Sequence, residues 1–197
     1  IVVTGTVAEV TAALVTASTK VVAASATSTI SDATSVAEAN AIDAVTTGAI
    51  TATLDAGTIA SFSGVTGTGN IYTITVSDVA TVTQANTLDA KTTGVITATL
   101  TTGALSTFSG LTGTANVYTI TVNDDAGDAI AATVLSALGA KTDGVVTVSN
   151  AIALSGTNTQ LTAALVTAGS LVVAATATAT MSDAASTSIA ATVLSAI

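Results

Sequence analysis

Cysteine, histidine, tryptophan, proline and arginine are all absent from this 197-residue chain, and its only basic side chains are Lys20, Lys91 and Lys141. Without cysteine there is no disulfide or thiol chemistry, a lack that suits an exported bacterial repeat protein and a cytosolic one equally. Without His, Cys or Arg, the usual general bases, activated nucleophiles and phosphate clamps are missing, which argues against an enzyme. Charged residues make up only 8% of the chain, against roughly 25% in an average globular domain. The net charge of -9, carried by Asp with only Glu9 and Glu38 beside it, leaves no basic face for nucleic acid or an anionic membrane surface. Thr4-Gly5-Thr6 and Thr66-Gly67-Thr68-Gly69 are not followed by G-K-[ST] and do not form G-x-G-x-x-G, so turn geometry explains these glycines better than phosphate binding.

The mean hydropathy of +0.78 is high, yet no apolar run reaches the roughly 18 residues that a membrane span needs. Ala, Val, Ile and Leu are diluted everywhere by Thr and Ser, the composition of packed layers. A repeat then organises the chain. Tyr72-Thr73-Ile74-Thr75-Val76-Ser77-Asp78 returns as Tyr118-Thr119-Ile120-Thr121-Val122-Asn123-Asp124, within a unit of residues 32–77 that recurs as 78–123. Residues 11–35 return as 162–186, and Ile130–Ala137 as 189–196, so the third unit, 124–182, is an expanded copy and 183–197 starts the next. The chain begins at Ile1 without a Met and ends at Ile197 inside a pattern already seen, which reads as one continuous segment, 1–197, of a longer array.

Strands are predicted near 1–6, 21–30, 48–54, 70–77, 94–100, 116–122, 144–150 and 171–181. Helical spacing joins Val7, Val10 and Leu14, then Ile130, Val134, Leu135 and Leu138, then Leu161, Ala164 and Leu165. Gly139 and Gly169 stand where a left-handed helix terminus would fall. The connections 55–69 and 101–115 support at most one or two short helical turns. Strands roughly 22 to 24 residues apart, joined by short crossovers, should be parallel. The expected fold is α/β: a right-handed repeat solenoid with one parallel sheet and short crossover helices. A parallel β-helix is the alternative, because Thr and Val are mediocre helix formers.

Strand alternation turns Tyr72, Ile74 and Val76, and their counterparts Ile50, Ala52, Leu54, Ile96, Ala98, Leu100, Tyr118, Ile120 and Val122, toward the helices. On the other side stand Thr51, Thr53, Thr73, Thr75, Thr97, Thr99, Thr119 and Thr121, which in register would form a two-column threonine ladder. That face reads as plainly solvated, as a contact face for another molecule, or, from its T-x-T rows, as an ice-binding surface. Asp32, Asp78, Asp124 and Asp183 follow strands, where each would cap the next helix. The same residue type binds calcium when several oxygens converge, and Asp124, Asp125 and Asp128 are the one cluster dense enough to name, though it lacks a recognised calcium-loop pattern.

The pattern I/V-S-D, then Ala85-Asn86-Thr87-Leu88-Asp89-Ala90, then T-G-V-I-T-A-T-L resembles the strand-helix repeats of giant bacterial, notably cyanobacterial, extracellular surface, adhesin and filament proteins. The likeness is close over 32–123 and loose over 20–197. It implies an extracellular, cell-surface structural module without a cofactor, calcium being the one metal such arrays sometimes use, whose partners are other copies or adjacent repeats. The expected function is a non-enzymatic module of a surface layer, fibre or adhesin stalk, built by stacking its coils. The alternative is a binding module that recognises ice or carbohydrate through its Thr-x-Thr face.

Overall fold

The computed structural model describes residues 1–16, 22–167, 172–185, 187–194 and 197. The chain is α/β, with parallel strands and short helices, and divides into two compact units. One comprises Ile1–Ala80 with Gln84–Ala98, the other Thr81–Thr83 with Thr99–Ile197.

The first unit runs β1 (Val2–Gly5), α1 (Val7–Leu14), β2 (Thr27–Thr34), α2 (Val36–Asp43), β3 (Ile50–Leu54), a single 3-10 turn (Ser61–Gly64), β4 (Ile71–Ala80), α3 (Val82–Asp89) and β5 (Ile96–Leu100), the division falling within α3 and β5. Its strand order is β1-β2-β3-β4-β5, and β1 to β4 pair in parallel. A helix or 3-10 turn between successive neighbours is what a parallel crossover requires. Inward Ile50, Ala52, Leu54, Tyr72 and Ile74 are buried, as are Ile42 of α2 and Phe62 of the 3-10 turn.

Thr6 and Ser35 start α1 and α2 with capping boxes: Glu9 and Glu38 sit at the third helical position and accept the cap residue's own N–H, at 2.8 and 3.0 Å. Each box satisfies two donors that a helix start otherwise leaves free.

The second unit contains a 3-10 turn (Leu105–Phe108), β6 (Val117–Val122), β7 (Ala129–Ala131), α4 (Ala132–Gly139), β8 (Val146–Val148), β9 (Ala153–Gly156), α5 (Asn158–Leu165), β10 (Val172–Val173), β11 (Thr178–Met181) and α6 (Ala191–Leu194). Here the expectation of one sheet fails. Beside the order β6-β8-β10 lies a second, three-stranded parallel sheet, β11-β9-β7. The chain bends after β8 and resumes a strand at β9 before entering α5. In the first unit the same bend shows only as a register shift in β2 between Thr29 and Ala33 and a lone bridge between Gly57 and Val76.

Two helix expectations also change. Ile130 lies in β7 and not in α4, because a three-residue strand with one buried side chain fits helical spacing equally well. Gly139 is the last residue of α4, and the helix ends through Ala140 in right-handed geometry instead of a left-handed glycine. Gly169 and parts of the strands expected at 21–30 and 171–181 lie outside the described residues.

Candidate functional site

The face opposite the helices is built by period-two alternation. Along β4 the even positions Tyr72, Ile74 and Val76 are buried while Ile71, Thr73 and Thr75 are exposed. Thr53, Thr97, Thr99 and Thr119 are likewise exposed, and Thr51 and Thr121 are half-buried. Each residue of the expected ladder therefore points outward, but the columns are not pure threonine. One row reads Thr4, Thr29, Thr51, Ile71, and the next Ala33, Thr53, Thr73. The Ile74 N–H bonds the Val95 carbonyl at 2.9 Å, which brings Val95 beside Thr73. In the second unit the row Thr121, Thr147 continues to Val173. Ile71, Val95 and Val173 are 43, 38 and 50% exposed. Turn lengths between strands shift the register, so an aliphatic side chain falls where a strict ladder would need threonine. The resulting rows carry threonine hydroxyls and aliphatic groups and no charge.

What holds the strands in place is a clasp that residue type alone did not reveal. Thr92 is buried; its hydroxyl accepts the N–H of Tyr72 at 2.7 Å and of Gly94 at 2.9 Å, and reaches the Tyr72 carbonyl at 3.0 Å. Thr142 does the same for Tyr118 and Gly144, at 2.7 and 2.8 Å, and Thr46 bonds the Ala26 carbonyl. The glycine two residues on has a reason in each case. A Cβ at Gly48, Gly94 or Gly144 would overlap the backbone carbonyl of Ala26, Tyr72 or Tyr118. The signal that could have found the clasp is the recurrence of Thr-x-Gly as Thr46–Gly48, Thr92–Gly94 and Thr142–Gly144, before β3, β5 and β8.

Asp32, Asp124 and Asp183 bond the first N–H of a helical segment, and Asp78 the turn just before one, all in the opposite direction from that expected. Asp32 accepts the N–H of Val7 at 2.7 Å, Asp78 that of Ile59 at 2.7 Å, Asp124 that of Leu105 at 2.7 Å and Asp183 that of Asn158 at 2.6 Å. Each carboxylate thus serves the segment that precedes it by one strand; after Asp32 the following helix α2 has its own cap residue, Ser35, whereas α4 after Asp124 has Ala131 at its N-cap and no side-chain cap. The caps link neighbouring repeats.

Asp124, Asp125 and Asp128 do not converge on a shared point. Asp124 is turned to Leu105, and Asp128 accepts the N–H of Asp125 at 3.0 Å within its own turn. Among the described residues no group of three acidic side chains is arranged to hold a metal.

Asn70 is buried in the first unit, where its side chain accepts the N–H of Ile50 at 2.9 Å and donates to Asp43 at 2.8 Å. Gly67, with φ of +77°, leaves room for that pair, since a Cβ there would collide with the Asp43 carboxylate. Burial, with the charge of Asp43 as the lesser cause, raises the Tyr72 phenol above the ordinary tyrosine range. Its hydroxyl has no hydrogen-bond partner among the described residues.

Fold and face together define an α/β repeat protein with parallel strands. Comparison with protein-family models, curated proteins and solved structures found no match. No helix among the described residues is long and apolar enough to cross a membrane.

Proposed function

We propose that this chain is a non-enzymatic structural module of an extracellular surface layer, fibre or adhesin stalk, and that it self-associates through its outward strand face. The observation that carries this reading is the chemistry of that face. In a chain of net charge -9, the rows through Thr51, Ile71, Thr73 and Val95 hold no charge, so two acidic copies can meet there without opposing like charges. Exposed aliphatic side chains between threonines supply area worth removing from water, and short β-branched residues lose little rotamer freedom on contact. The extracellular placement rests on the resemblance of the repeat pattern to giant bacterial surface proteins. Ice recognition through T-x-T rows would need a regular threonine array, and Ile71, Val95 and Val173 interrupt it.

Sedimentation velocity tests the reading. Thr75→Lys with Thr121→Lys places a cation on the face of each unit and should abolish association, whereas Ala37→Lys, at an exposed position of α2, should leave it intact. Equal association of all three proteins would overturn it.

A further inference from the structure

We propose that the free edge of β7 is a strand-addition site for an extended peptide in which apolar residues alternate with polar ones and an acidic residue stands at one end. β7 ends the three-stranded sheet β11-β9-β7 and has a paired strand on one side only among the described residues. The Ala153 N–H bonds the Asp128 carbonyl at 2.8 Å. In a parallel ladder alternate residues address the same neighbour, so Ile130 faces β9, while the main-chain N–H and carbonyl of Ala129 and the N–H of Ala131 point the other way; the Ala131 carbonyl, at the N-cap of α4, is used by the helix. Such an edge is a template for a further strand.

Beside it lies a groove of about 500 Å³, floored by Leu105 and Phe108 and walled by Val134 and Leu138 of α4. Val134 is 51% exposed there. A strand laid on β7 would send alternate side chains into this apolar space, which is within the usual size of ligand sites. Among the described residues Lys141 is the cation that lines the groove, and it suits an acidic residue at one end of the guest.

The site is held in shape before any guest arrives. Asp124 fixes the groove floor through Leu105 N–H, and the turn that leads into β7 is closed by Asp125 N–H to Asp128 and by Asp128 N–H to the Asp125 carbonyl, both at 3.0 Å. Among the described residues the first unit shows no counterpart, because β4 passes into α3 through Thr81 alone. The longer passage from β6 to α4 is therefore what creates the edge. The inference is independent of the outward threonine face.

The test is fluorescence anisotropy of a labelled peptide with the sequence of residues 71–78, Ile-Tyr-Thr-Ile-Thr-Val-Ser-Asp, titrated with the full chain. Saturable binding is expected, weakened about tenfold or more by Ala131→Pro. Ala131 has φ of -75°, which the proline ring adopts, so the change removes the outward N–H with little strain. Val134→Glu, an exposed change that leaves the core alone, should weaken binding as well. Absence of saturable binding up to roughly 1 mM, where a complex is worth only about 4 kcal/mol, would overturn the proposal. So would undiminished binding to Ala131→Pro, whether or not Val134→Glu weakens it, since apolar contact alone would then hold the peptide.

Discussion

The Thr92 hydroxyl stands in for a strand neighbour of Tyr72, accepting its N–H at 2.7 Å while reaching its carbonyl at 3.0 Å. One side chain thus completes the main-chain bonding at the start of β4 and also accepts the N–H of Gly94, which ties the turn before β5 to the strand beside it. Thr92→Val keeps the shape and strands two donors, so it should destabilise the protein by about 1–3 kcal/mol. Thr97→Val, exposed on the outward face, should change stability by less than about 0.5 kcal/mol. Urea unfolding of the two variants makes the comparison, and equal midpoints would remove the clasp from the explanation of the fold.

Gly94→Ala tests the closeness of the same approach. The added methyl would meet the Tyr72 carbonyl, a backbone atom that can move only with its strand. A loss of about 1–3 kcal/mol is expected, while Gly110→Ala, with open space around the new methyl, should cost far less.

Asp78→Ala should cost about 0.5–2 kcal/mol, the usual value of a cap, and hydrogen exchange locates the damage. Faster exchange is expected at Ile59, whose N–H the carboxylate accepts, with no matching change in α3. Acceleration confined to α3 would restore the reading in which each aspartate caps the helix that follows it.

Two kinds of titration bear on stability, with opposite signs. The backbone N–H and then the hydroxyl of Thr6 hold Glu9 below the ordinary glutamate value, and the hydroxyl and then the backbone N–H of Ser35 do so for Glu38. A carboxyl with a lowered folded value stabilises above its unfolded pKa, and that contribution is lost as pH falls through the folded one. Acid should therefore loosen the starts of α1 and α2, and Glu9→Gln with Glu38→Gln should flatten the thermal midpoint on the acid side.

Tyr72 behaves in reverse. Its raised value means that stability is intact below the ordinary tyrosine pKa of about 10 and falls as pH climbs above it. Tyr72→Phe should reduce alkaline unfolding and cost little at neutral pH, because the buried hydroxyl it removes has no partner among the described residues.

Much of this organisation is legible in the residues. Alternation from Tyr72 to Val76 fixes both the strand and its buried side, and the recurrence at Tyr118 carries the assignment to β6. Helical spacing at Val7, Val10 and Leu14 matches α1, and the glycine-rich connections at 55–69 and 101–115 each yield one 3-10 turn. The second sheet is hidden, because β7 and β9 are too short for two periods to be told apart. The direction of the aspartate caps is hidden too, since a partner such as Val7 for Asp32 is distant along the chain and close only once strands pair. Row composition depends on register, which turn lengths set: Thr51 meets Ile71 and not Thr73.

The most direct measurement is cryo-electron microscopy of assembled chains at a resolution that separates neighbouring copies. Self-association through the uncharged strand face requires Thr73, Ile71 and Val95 of one copy to be covered by an adjoining copy, with the acidic turns left in solvent. Isolated particles, or assemblies in which that face is open to water and contacts run through the helices, would contradict it.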